Sequence, residues 1–183
     1  MRALTISTAL LLCACQQSSP PAENMAANDM AVETINETEA MPAMTAQDFA
    51  NKVAASDMFE IESSKAALAT SSSDSVKKFA QMMVDAHTKS SADLKAGLAG
   101  ADPAVTPSAT LDPAQQASLD SLKSAPAAAF DAAYKTAQVD GHQQALAMLQ
   151  QYAAAGQAGP AKDFAAKMVP IVTEHLRMAQ ELK

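Results

Sequence analysis

The sequence predicts an all-α protein built on four long helices, and two observations carry that prediction. Apolar residues recur at alternating three- and four-residue steps over stretches of twenty or more positions, the spacing of a single buried helix face. Hydrophobic residues make up 49% of the 183-residue chain, yet much of that is alanine, with no Trp and only 4% aromatics. Such a composition suits closely packed helices better than a bulky mixed core.

The first helix opens at Thr45, a cap followed by Asp48 in the first turn. It spans about 46–70, with Phe49, Val53 and Ala67 on its apolar seam and Glu60 on the same line. Ser and Asp in "TSSSDS" compete for backbone hydrogen bonds and end it near residue 71. The second helix, about 74–98, carries Val76, Phe79, Met83, His87, Ser90, Leu94 and Leu98 on one face. The Gly- and Pro-containing stretch "AGADPAVTPSATLDP" stops it.

Asp112-Pro113-Ala114-Gln115 is a helix start, with a cap, a proline at the first helical position and a glutamine reaching back. It predicts a short helix to Lys123. A third long helix follows from about Ala125 to Ala155, with Val139, His142, Leu146 and Leu149 on one face. A parallel stripe of Phe130, Tyr134, Ala145, Met148 and Tyr152 widens that surface. "GQAGP" ends it, and Pro160 starts the fourth helix. Its predicted seam is Phe164, Met168, Ile171, His175, Met178 and Leu182, with Pro170 removing one backbone donor midway.

"KKFAQMMV" at 77–84 matches "KDFAAKMV" at 162–169, so the second and fourth long helices look like copies. Two tight hairpins joined by a long connection give a ferritin-like four-helix bundle with one long crossover containing a short helix. That domain is expected over 45–183.

The N-terminal "MRALTISTALLLCACQQ" reads as a targeting segment. Arg2 gives a positive start, and the apolar run to Leu12 is too short to span a bilayer. "LCAC" resembles the bacterial lipobox, with Cys15 as the lipid-attachment site after Ala14. Residues 1–14 are therefore expected to be a lipoprotein signal peptide. Gln16, where aspartate would imply inner-membrane retention, points to a periplasmic, outer-membrane-anchored protein. Both cysteines lie in this segment, which leaves the domain no thiol for a disulfide.

Residues 15–44 read as a disordered acidic tether: polar, Pro- and Asn-rich and free of aromatics. Residues 16–48 carry six acids and no Lys or Arg, so most of the formal net charge of -7 sits there. Met25, Met30, Met41 and Met44 present soft thioethers that suit copper(I), although loose linker methionines ordinarily have no such role. The chain has no basic patch, which argues against nucleic acid as a partner. The membrane, reached through the lipid anchor, is the partner that the sequence indicates.

The three histidines of the chain, His87, His142 and His175, each fall near the middle of a long helix, and so does Glu60. In a bundle of similar helix lengths those positions converge at one level. Burying such groups without partners costs roughly 2–7 kcal/mol each, so they must satisfy one another or hold something. Three imidazoles and one carboxylate suit a four-coordinate site for one Zn, Cu or Fe ion. A metal-free Glu/His hydrogen-bond network is the other reading. A di-iron centre is disfavoured, because Val84, Val139 and Val172 stand three residues before the histidines, where such bundles place glutamate. Asp85, Asp140 and Glu174 adjoin the histidines in sequence but point off the seam.

"FEIESSKAAL", "MMVDAHTKSSADL", "FDAAYKTAQVDGHQQAL" and "MVPIVTEHLRMAQEL", in that order, resemble the bacterial domain-of-unknown-function family four-one-four-two. The resemblance covers about residues 45–183 and implies a secreted or lipid-anchored ferritin-like bundle. It brings no established activity. In this chain Asp85 stands one residue earlier than the aspartate often found directly before the second-helix histidine, with Ala86 between. Three function classes follow: an envelope metal-binding bundle, a metal-free structural or protein-interaction module, and an enzyme. The enzyme is the weakest of them, since no thiol or Gly-rich phosphate loop lies outside the signal and tether.

Overall fold

The computed structural model describes residues 44–183. The expected signal peptide, Cys15 and the expected tether up to residue 43 lie outside the described residues. The described part is all-helical: α1 Ala46–Thr70, α2 Asp74–Leu98, α3 Pro113–Lys123, α4 Ala127–Ala155 and α5 Pro160–Glu181.

Local chemistry sets these boundaries. The Thr45 hydroxyl accepts from the Asp48 backbone N–H at 3.0 Å, capping α1. Ser73 caps α2 through the Val76 N–H. At α3 both halves of the Asp112–Gln115 capping box form. Helix α4 starts at Ala127, two residues later than expected, because Ala125 still closes the last turn of α3 and Pro126 supplies the cap. Gly159, at φ 141°, adopts a backbone conformation that L side chains rarely reach, and so allows the tight turn into Pro160.

Helices α1 and α2 form one hairpin, α4 and α5 the other. Phe49 near the start of α1 meets Tyr152 near the end of α4 and Phe164 near the start of α5. Helix α1 is therefore antiparallel to α4 and parallel to α5, and the long α2–α4 connection is the crossover that this order requires. That connection is pinned to α1. The Gln47 side-chain amide exchanges two hydrogen bonds with the Thr106 backbone, and Asn51 accepts from the Ser108 N–H. Helix α3 then packs on α1 and α4.

The core is divided. One apolar cluster gathers Phe49, Val53, Leu94, Leu98, Leu149, Tyr152 and Phe164. The other gathers Val76, Phe79, Met83, Leu122, Phe130 and Tyr134 at the opposite end. All seven positions expected on α2 are buried. On α5 the phase differs, because Val172 and Ala179 are buried while Ile171 is 39% exposed and Met178 half-buried. Periodicity cannot choose between neighbours at Ile171/Val172 and Met178/Ala179. The fold turns the smaller member of each pair inward, and the face rotates by part of a turn.

Candidate metal centre

Between the two apolar clusters lies a polar layer made of Asp57, Glu60, Ser63 and Ser64 from α1, His87 and Ser90 from α2, Gln138 and His142 from α4, and His175 from α5. The four residues singled out from the sequence are all buried, and each comes from a different long helix.

The histidines form a nearly equilateral triangle, with ring centroids 5.5 to 5.6 Å apart. One nitrogen from each lies within 4.8 Å of the other two. A point equidistant from three atoms at that limit is at most about 2.8 Å from each (the limit divided by √3), against about 2.0–2.1 Å for a zinc–imidazole bond. A contraction of less than about 1 Å per ligand would close the gap, within the reach of small rotamer adjustments.

Two of the rings are aimed from behind. His87 Nδ1 donates to Asp57 Oδ1 at 2.8 Å, and the other Asp57 oxygen accepts from Ser91 Oγ at 3.0 Å. His142 Nδ1 donates to the Gln138 backbone carbonyl at 2.8 Å. Both bonds occupy Nδ1 and leave Nε2 available to a ligand, the arrangement by which metal-site histidines are usually oriented. His87 Nε2, His142 Nε2 and His175 Nδ1 are buried and have no hydrogen-bond partner among the described residues.

Glu60 belongs to the layer but stands outside the close histidine group. Its Oε1 lies 3.6 Å from His142 Nδ1, the nitrogen already engaged by Gln138. A Cβ on Gly141 would come within 2.8 Å of that oxygen, so glycine at 141 lets the carboxylate sit against α4 without shifting. Glu60 Oε2 has no partner. The carboxylate thus flanks the triad at the α4 side.

Protonation is set by burial and by the neighbours. Burial pushes His142 down to about 3, helped by the charge on His87 and opposed by the Gln138 carbonyl bond. Burial also takes His175 down to about 4, again with His87 contributing. Both are neutral imidazoles at neutral pH, the form that binds metal. Burial works against charge on His87 too, but the Asp57 hydrogen bond and the nearby Glu60 and Asp57 carboxylates outweigh it and raise its pKa. Burial lifts Glu60 to about 7, opposed by His87 and Gln138.

Asp57 and Gln138, the hydrogen-bond partners of His87 and His142, are the residues that periodicity did not single out. Asp57 sits three residues before Glu60 and Gln138 four before His142, so helical spacing alone places both on the polar face. By contrast Asp85, Asp140 and Glu174 are exposed. Asp85 accepts from Gln81 and Glu174 pairs with Arg177.

Fold and site together define a helical bundle with a buried three-histidine cluster. The profile of the domain of unknown function DUF4142 matches residues 31–182, and the chain belongs to that family. No curated protein sequence matches the chain. Among solved structures, "CopM in the Cu(I)-bound form" is similar with a TM-score of 0.61 at 15% identity, covering 75% of this chain and 94% of that one. At that identity the likeness establishes the fold.

Proposed function

We propose that this protein is a lipid-anchored bacterial envelope protein that holds one copper ion in its bundle core through His87, His142 and His175. The observation that carries the reading is a buried group of three histidines, with one ring nitrogen of each within 4.8 Å of the others, each histidine also having a buried nitrogen without a hydrogen-bond partner. A network built only to satisfy itself would leave few such atoms, because each unpaired buried group costs about 1–3 kcal/mol. Imidazole donors suit copper and zinc alike. Copper is favoured by the neighbour of the same fold, whose solved form carries Cu(I). Asp57 and Gln138 orient the rings, and Glu60 offers a negative charge beside the ion. The role is binding, as storage, buffering or delivery of the metal, rather than turnover.

Metal analysis of untagged protein, with melting in chelator and in added Cu(I) or Zn(II), tests the reading. Ligand at a hundredfold its Kd adds about 2.7 kcal/mol of stability. His175→Ala abolishes that gain. A melting temperature indifferent to every metal would leave a metal-free polar network as the explanation of the layer. Lipid attachment at Cys15 has its own test: Cys15→Ala moves the protein from the outer-membrane fraction to the soluble one.

A further inference from the structure

Two cavities meet on one wall of the metal layer. The larger, about 590 Å³, lies between α1, α3 and α4, with exposed Lys52, Asp112 and Gln144 around it and Met44 and Met148 among its lining residues. The smaller, about 20 Å³, lies inside the bundle against His87, Ser90 and Met168. It has room for a single water-sized body. Ser56, Ala145 and Met148 line both, so these three residues form the partition between them. Met148 alone among the three offers a soft donor. On the inner side, His87 Nε2 and Ser90 Oγ are both buried without a partner, and both residues line the small cavity.

We propose that Met148 is the gate by which Cu(I) reaches the histidines. The ion passes from the outer groove, past Met44 and Met148, into the small cavity beside Met168, and from there onto His87. The inference rests on the metal-binding reading above. Each step is ligand exchange with no change of oxidation state: a copper–thioether bond forms as a bond to the delivering ligand breaks, and then yields to a copper–imidazole bond. Thioethers are soft, neutral donors that hold Cu(I) well and Zn(II) poorly. They let a thioether-bound monovalent ion cross an apolar wall, where an unliganded charge would be strongly opposed. A Zn(II) ion gains nothing from the sulfur and keeps its oxygen ligands. The partition therefore discriminates between the metals by rate, while the three histidines set the affinity.

The test is stopped-flow loading of the full chain without oxygen, using Cu(I) supplied as its acetonitrile complex and, separately, Zn(II). Met148→Leu conserves volume but removes the sulfur. The expected result is Cu(I) loading slowed about tenfold or more, with Cu(I) affinity unchanged and Zn(II) loading unaffected. Met168→Leu, on the inner wall, gives the same pattern and serves as a second probe. Equal Cu(I) rates in wild type and both variants overturn the thioether route while leaving the metal site standing, and so does an equal slowing of both metals, which marks a purely steric effect. Wild-type protein that takes up neither metal sinks the metal reading itself, and this route with it.

Discussion

Asp57→Asn isolates the charge behind His87 from the shape of the site. Asp57 is buried, with one oxygen on His87 Nδ1 and the other on Ser91 Oγ. An asparagine can turn its carbonyl to His87 and its NH₂ to the serine, keeping ring and rotamer in place. What disappears is a negative charge. Adding the 2.8 Å hydrogen bond, the width of the imidazole and one metal–nitrogen bond places that charge about 6–7 Å from the ion. At an effective dielectric of about 20, a unit charge at that distance is worth about 2.5 kcal/mol. That is a loss of roughly 70-fold in affinity for Cu(I), inside the usual range of about 10–100-fold for such partners. Proton competition acts the other way. The wild-type carboxylate raises the pKa of His87, so acid weakens wild-type binding more than variant binding, and the gap widens as pH rises. Competition against a chelator of known Cu(I) affinity at pH 8 measures it, with far-ultraviolet circular dichroism to check the fold. Equal affinity in variant and wild type would mean that the charge on Asp57 does not support the ion.

Three further outcomes are expected. Gly141→Ala should lower stability in urea titration despite a better helix propensity. The substitution gains about 1 kcal/mol from propensity but sets a methyl 2.8 Å from Glu60 Oε1, and overpacking of that kind costs about 1–3 kcal/mol; a more stable variant would show that Glu60 moves aside freely. Metal-free protein should melt highest near about pH 6.5, because on the acid side the two lowered histidines outweigh Glu60 and on the alkaline side Glu60 and His87 both lose stability. Glu60, raised to about 7, and His87, also raised, contribute stability that is lost as pH climbs through their folded values. His142 and His175, lowered to about 3 and about 4, contribute stability that is lost as pH falls toward those values; a melting temperature still climbing above pH 7 would contradict this balance. Leu94→Ala, in the cluster away from the histidines and 1% exposed, should cost about 2–5 kcal/mol without changing metal affinity, and a matching loss of affinity would show that the two regions are coupled.

Helix limits and the crossover were legible because they depend on local chemistry: caps at Thr45 and Asp112, prolines at helix starts, glycines at stops. Convergence of the histidines was legible because each falls mid-helix on an apolar line. The rotation of α5 was not, since Ile171 and Val172 satisfy the same spacing and only packing against α2 and α4 decides between them. Asp57 and Gln138 were hidden for a related reason. A polar residue on a helix is normally read as solvated, and nothing local shows that Asp57 faces His87 from a neighbouring helix. Position relative to Glu60 and His142 was the one available signal.

The polar layer is costly, and its cost bears on its purpose. Glu60 Oε2, His87 Nε2, Ser90 Oγ, Gln138 Oε1, His142 Nε2 and His175 Nδ1 are buried there without partners. A buried polar atom left bare costs about 1–3 kcal/mol, a sizeable share of an ordinary domain's stability of about 5–15 kcal/mol. Well-packed apolar residues would hold four helices together at least as firmly. A device for helix register would pair its polar atoms with one another. Here Asp57 and the Gln138 carbonyl instead each take the Nδ1 of a different ring and leave its Nε2 bare. Unpaired nitrogens from three helices meeting in one layer are what the proposed cation would complete.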